Sequence, residues 1–267
     1  MIRIENLSKV FHIGTVNENP AIRSVDLEVT DGDFITIIGS NGAGKTTLFN
    51  LIAGTIAPTE GHIWIQDTDV TTQPEYKRAK YIGRIFQNPL LGTASNMTLE
   101  DNMMVTHRKG FKGLRMSLNA KMRDFFRSHL VALDMGLEDR MRDNIGLLSG
   151  GQRQALTLLM MVLSRPALVL LDEHTAALDP KNAQLVLDLT MRHIGEYGLT
   201  TMMITHNMSQ AIAYGNRLLM MDGGEIILDV SGDEKKALTV EKLVEKFHEI
   251  RSRSFENDEV LLSESSS

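Results

Sequence analysis

Residues 148–154 read "LSGGQRQ", from Leu148 to Gln154, and lead into the apolar run "ALTLLMMVL", from Ala155 to Leu163. The run has the composition of a helix. Each of the two glycines in front of it costs about 1 kcal/mol in a helix interior relative to alanine. Ser149 is a good N-cap, which places Gly150 and Gly151 in the first turn. A missing Cβ there lets another group approach the backbone closely. What that group is follows from motifs on either side.

Upstream, "GSNGAGKT" from Gly39 to Thr46 matches the pattern G-x-x-x-x-G-K-[ST]. It follows a predicted strand, Phe34 to Ile38, and opens a predicted helix, "KTTLFNLIAG", that Gly54 closes as a C′ residue. In this context Gly39, Ser40, Asn41, Gly42, Ala43 and Gly44 wrap backbone amides around phosphate oxygens, and the helix start at Lys45, Thr46 and Thr47 holds their charge. Lys45 reaches the outer phosphates and Thr46 ligates Mg²⁺. A bare glycine-rich turn would need neither flank. Downstream, "LVLLDE" from Leu168 to Glu173 is an unbroken apolar strand, of the type buried in parallel sheets, ending in two carboxylates. Asp172 can hold Mg²⁺ through water, and Glu173 can polarise the water that attacks a γ-phosphate.

The chain has 267 residues, 42% hydrophobic and 23% charged, with a formal charge of −6. This suits one substantial core with a smaller satellite. It argues against a general nucleic-acid binder, which needs a basic surface. With no cysteine, disulfides, thiolate metal sites and cysteine nucleophiles are excluded. "MIRIENLSKVF" lacks the apolar centre of a signal peptide. The longest apolar segment, Ala155 to Leu163, is far short of the roughly 20 residues a membrane span needs. A membrane role therefore runs through a partner.

Strands are predicted at Ile2 to Leu7, Ile22 to Val29, "GHIWIQ" and "YIGRIFQ", the early ones antiparallel. After Gly151 the pattern alternates: helix to Leu163, strand "ALVLLD", helix from Pro180 to about His193, strand "TTMMIT", helix from Asn207. Such alternation implies parallel strands with crossover helices. "RLLMMDGGEIILDV" reads as a hairpin turning at Asp222-Gly223-Gly224. Residues 98–146, rich in Met, Leu, Arg and Lys, read as an inserted helical subdomain. The expected division is thus an ATP-binding core over 1–97 and 147–232, the helical insert, and a C-terminal helix with Leu243, Val244, Phe247 and Ile250 on one face before a disordered tail, over 233–267.

Phosphate loop, "LSGGQRQ" and "LLDE" in this order resemble the ATP-binding cassette (ABC) ATPases, over nearly the whole chain. The resemblance implies an α/β P-loop NTPase core with a mixed sheet, an antiparallel β subdomain and the inserted α-helical subdomain. It implies that Ser149, Gly150, Gly151 and Gln152, with Asp179 of "AALDP", meet the nucleotide bound by a second, head-to-tail copy of the chain. Gln87 of "RIFQNP" is similar to the glutamine of the Mg²⁺ shell, and His206 of "MMITHN" to the histidine that contacts the γ-phosphate. Phe11 of "SKVF" is similar in position to the aromatic that stacks on adenine, although it could equally belong to the core. His174 departs from the family, where proline is frequent.

By this resemblance the chain binds and hydrolyses ATP with Mg²⁺, and as a peripheral subunit at the cytoplasmic face powers a separately encoded permease. "GRIFQNPLLGTASNMTLEDN" and "LLDEHTAALDP" resemble bacterial importer ATPases that work with a separate solute-binding protein, some for aromatic amino acids. The alternative is a soluble ABC ATPase outside transport, such as an iron–sulfur assembly partner. The basic residues Arg108, Lys109, Lys112, Arg115, Lys121 and Arg123 read as a solvated face, or as a surface for anionic lipid or a permease loop.

Overall fold

A computed structural model describes residues 1–88, 90–107 and 118–249. The first third of the chain forms β1 (Ile2–Phe11), β2 (Asn19–Val29), β3 (Phe34–Gly39), α1 (Lys45–Ala53), β4 (Glu60–Ile65), β5 (Thr68–Asp69), α2 (Glu75–Arg78) and β6 (Ile82–Ile85). Two helices follow, α3 (Leu99–His107) and α4 (Ala120–Val131), with short 3₁₀ turns at Leu137–Asp139 and Ile145–Leu147. The remainder forms α5 (Gly150–Leu163), β7 (Leu168–Asp172), α6 (Pro180–Tyr197), β8 (Thr201–Ile204), α7 (Met208–Ala213), β9 (Arg217–Asp222), β10 (Glu225–Ser231) and α8 (Gly232–Lys236). A last helix, α9, covers residues 240–249.

One sheet has the order β2-β1-β4-β5 and is antiparallel; the other runs β10-β9-β3-β8-β7-β6. In the larger sheet β9, β3, β8, β7 and β6 are parallel, and β10 closes the edge as the second arm of a hairpin. Period-two alternation sorts each strand's side chains to two faces. Leu168 and Leu170 of β7 face the layer between the sheets, with Leu48, Phe49 and Ile52 of α1, while Val169 and Leu171 face α5. The apolar residues of the α3–α4 region, among them Leu99, Met103, Phe126 and Leu130, join this second cluster. A third cluster packs Leu243 and Phe247 of α9 against Ile38, Ala211 and Met220.

β1 and α6 outrun the sequence reading, and β2 begins at Asn19 rather than Ile22. β1 continues past Leu7 to Phe11, because Lys9, Val10 and Phe11 pair with Ile22, Pro20 and Asn19 across register shifts that scramble the apolar alternation. α6 passes His193 and stops at Gly198, whose φ of 58° ends it in the left-handed conformation. α8 was not expected at all, and Ile250 and the tail lie outside the described residues.

Gly54 ends α1 at φ 81° as expected, and the structure adds a second reason for glycine there. A Cβ would sit 2.6 Å from Nε of Arg78. Arg78, 1% exposed, donates to the carbonyls of Leu51, Ile52, Thr71 and Gln73, satisfying acceptors that the end of α1 leaves open. Burial pushes its guanidinium down to about 10, so it stays charged at neutral pH. It ties down the far end of the helix that starts at the phosphate loop.

Candidate functional site

The site forms where parallel strands end, the usual place for ligands on such sheets. From the carboxyl end of β3 the chain turns at Gly39, where φ is 151° and a Cβ would lie 2.1 Å from the Met221 carbonyl. It enters α1 through Gly44, at φ 96°, where a Cβ would lie 2.6 Å from the Ala21 carbonyl. Neither position admits a side chain. Gly44 also leaves the first turn of α1 without a side-chain cap, so its amides and the positive end of the helix dipole remain available to an anion. Ser40 holds the loop outward, its hydroxyl donating to Asp222 at 2.7 Å.

Lys45, 6% exposed, curls back over this loop and donates to the carbonyls of Gly39 at 2.8 Å and Ser40 at 2.9 Å. Burial lowers its pKa, and the charges of Glu173 and Asp172 oppose that shift. The surrounding cavity, about 450 Å³, is lined by Asn41 to Thr47, by Glu173 and His206, and by Phe11 on the opposite wall. Phe11 is half-buried at the end of β1 with the Lys9 ammonium 5.2 Å from its ring centre. Arg23 also lines the cavity; no spacing or motif singles it out in the sequence.

Asp172 ↔ Ile204 is the last paired position between β7 and β8, and the Glu173 amide still donates to the Ile204 carbonyl at 3.2 Å. The two strand ends therefore deliver Glu173 and His206 side by side, with His206 Nε2 2.5 Å from Glu173 Oε1. Glu173 has φ 48°, a conformation that a glutamate adopts at a cost of roughly 1 kcal/mol. It is a mostly buried carboxylate, held on one oxygen by an imidazole, at the edge of an anion-binding loop. Such a group can accept a proton from water.

Asp172 has a 12% exposed side chain whose Oδ2 lies 3.3 Å from Nη2 of Arg84. Among the described residues no three His, Cys, Asp or Glu side chains gather into a metal cage. Thr46 and Asp172 carry the oxygens with which the chain would hold a Mg²⁺ ion, the rest coming from nucleotide phosphates; of the two, Thr46 lines the cavity and Asp172 does not. Gln87 is not brought to this cavity. It sits on an exposed bend just after β6.

The signature stretch stands apart. Ser149 Oγ accepts from the Gln152 amide and Gln152 Oε1 accepts from the Ser149 amide, both at 3.2 Å, a complete capping box. Ser149 and Gly150 are exposed. Gly151 is buried, and a Cβ on it would meet the Asn182 side chain at 2.9 Å, so the second glycine is demanded within the chain itself. Asp179 caps α6, its Oδ1 and Oδ2 accepting from the Asn182 amide at 3.2 Å and the Asn182 side chain at 2.6 Å. Those bonds hold its carboxyl below the usual range. In a single chain none of these five residues lines the phosphate-loop cavity.

Sequence reasoning missed Gln154, fully buried on α5, whose amide donates to the His174 carbonyl at 2.7 Å and the Phe86 carbonyl at 3.3 Å. It binds α5 to both loops. Of the basic run, residues 108–117 lie outside the described residues; Arg123 of α4 pairs with Glu100 of α3 at 2.9 Å.

His174 is 3% exposed, and its Nε2 lies 3.1 Å from Thr190 Oγ1. That hydroxyl already donates to the Val186 carbonyl at 2.7 Å, so Nε2 carries a proton and donates it to Thr190. Burial pushes its pKa down to about 4. As pH falls from 6.5 towards 4 the unfolded chain binds a proton that the folded chain refuses, which removes about 3 kcal/mol of stability by pH 4. Urea denaturation of the parent and of His174→Leu across this range should show a slope in the parent that is shallower in the variant; equal slopes would refute the assignment.

Comparison with known proteins gives the family. A family model described as ABC transporter matches residues 22–176. The tyrosine transport ATP-binding protein of Clostridioides difficile (strain R20291) is 42% identical over 249 residues, covering 92% of this chain and 98% of that protein. The aliphatic sulfonates import ATP-binding protein SsuB of Escherichia coli (strain K12) is 31% identical over 81% of this chain and 77% of its own length. Among solved structures, the dimeric structure of MJ0796, a bacterial ABC transporter cassette, superposes with a TM-score of 0.73 at 25% identity, covering 86% of this chain and 98% of that one.

Proposed function

Since the chain belongs to the ABC transporter family and is an ATP-hydrolysing cassette, we infer that it powers a bacterial importer of amino acids or similar small solutes through a separately encoded permease. The observation that carries this is the likeness to a tyrosine transport ATP-binding protein along 98% of that protein's length. A solute-binding protein completes the system and selects the cargo.

ATP enters with its phosphates on the amides of residues 39–47 and its base against Phe11. The Lys45 ammonium leaves the Gly39 and Ser40 carbonyls for the outer phosphates. Thr46 and Asp172 would hold Mg²⁺, Asp172 through water, with Gln87 joining after a movement of its bend; the ion supplies charge neutralisation of the phosphates. Glu173 takes a proton from the attacking water while His206 fixes its orientation and touches the γ-phosphate. A second copy, head to tail, contributes the exposed Ser149 and Gly150 with Gly151, Gln152 and Asp179. A similar cassette is dimeric in two solved structures, one of them bound to ADP and Pi, which supports the pairing of two copies.

Closure and reopening of the dimer move the helical insert, residues 98–146, against the core. Between β6, α3 and α5 lies a groove of about 400 Å³ whose rim carries Tyr76 and Val105, 75% and 58% exposed. It suits an apolar cytoplasmic loop of a permease, and among the described residues no helix is itself long and apolar enough to cross a membrane. Purification from the native host in detergent should recover a polytopic membrane protein with the parent and lose it with Val105→Glu, while ATP hydrolysis by the isolated chain persists. Recovery of a soluble scaffold instead would favour a role outside transport.

A further inference from the structure

We propose that Arg84 is a positioning residue for the reaction: it fixes the Asp172 carboxylate and keeps it out of reach of Lys45, so that the carboxylate stays available to Mg²⁺. This rests on the reading of Asp172 as a Mg²⁺-shell residue given above.

Arg84 lies on β6 one strand over from β7, paired directly with Leu170. Its side chain is 10% exposed. Nη2 is 3.3 Å from Asp172 Oδ2, and Nη1 donates to Asn50 Oδ1 of α1 at 2.8 Å. The guanidinium lies over Phe86, with Cζ 4.6 Å from the ring centre. Its buried Nε has no hydrogen-bond partner, so the group gives up one of its five donors to take this pose. The fork thus spans three elements: the strand that bears it, the helix that starts at the phosphate loop, and the strand that ends in Asp172.

The consequence is electrostatic. Arg84 is the cation paired with Asp172, and Lys45 sits on the phosphate loop at the same end of the parallel strands. With Arg84 gone, a carboxylate that is only 12% exposed would seek its remaining cation, because a buried unpaired charge is costly. An Asp172–Lys45 pair would take one group from the metal and the other from the phosphates. Arg84 prevents this by holding Oδ2 at 3.3 Å. Outer partners of metal-binding groups commonly change metal affinity 10–100-fold.

The test is a Mg²⁺ titration of the binding of a fluorescent ATP analogue to the full chain, with thermal melting alongside. Arg84→Met should raise the Mg²⁺ concentration for half-maximal binding roughly tenfold or more. Arg84→Lys keeps the charge without the fork and should shift it less. In an Asp172→Asn background, where no carboxylate can turn to Lys45, adding Arg84→Met should shift it no further. A half-saturation in Arg84→Met within about twofold of the parent would overturn the proposal, since tenfold is the smaller end of the expected effect. So would an equal shift in the parental and Asp172→Asn backgrounds. If Arg84→Met does not fold, Arg84→Lys decides, and an unshifted titration refutes. If Asp172→Asn binds with parental Mg²⁺ dependence, the metal assignment of Asp172 is what fails.

Discussion

ATP turnover by Glu173→Gln should fall by about two to four orders of magnitude, the usual worth of a positioned general base, while ATP binding is retained. Glutamine fills the same space, and its amide oxygen can take the place of the Oε1 that now lies 2.5 Å from His206 Nε2. The backbone at φ 48° and its bond to Ile204 are unaffected. What disappears is the ability to take a proton from water. With cleavage blocked and both phosphate-facing surfaces intact, the protein should accumulate as an ATP-bound dimer. Single-turnover hydrolysis and size-exclusion chromatography with ATP would check both halves, and turnover at the parental rate would remove Glu173 from its role as base.

Lys45→Ala should have the opposite profile: binding itself is lost. Lys45 is the cation of the cavity placed directly on the phosphate loop. Charged hydrogen bonds contribute about 1.5–3 kcal/mol each, so losing its contacts to two phosphates should weaken ATP binding by at least two orders of magnitude. Stability should change much less. Lys45 is buried at a cost that lowers its pKa, and the Gly39 and Ser40 carbonyls it leaves would face a cavity that water can enter. Equilibrium binding of a fluorescent ATP analogue, with a thermal melt as control, reads both. Near-parental affinity in a folded variant would refute the phosphate role of the loop.

Much of the fold was legible because its signals are local. The loop "GSNGAGKT" carries its glycines in a pattern legible without the Met221 and Ala21 carbonyls that also crowd Gly39 and Gly44, and the helix starts at Ser149, Asp179 and Asn207 carry caps that act within three residues. The unbroken apolar run of β7 was equally plain. The end of β1 was not, since its pairing beyond Leu7 depends on register shifts against β2. Phe11 was placed in the sequence only by likeness, with core packing as the alternative; it lies half-buried on the wall of the cavity. Gln87 is named by its motif yet lies off the cavity, because its position depends on a bend that no local rule fixes.

The sequence by itself determined the phosphate loop, the two carboxylates after an apolar strand, and the capped glycine pair of "LSGGQRQ", because each is a contiguous run whose chemistry is decided by its own backbone. Tertiary structure alone decided that Glu173 and His206 stand 2.5 Å apart, that Arg84 grips Asp172 from a neighbouring strand, and that Asn182 leaves no room for a side chain at Gly151. These contacts join residues far apart along the chain. Sheet order and register bring them together, and neither is a property of any short stretch.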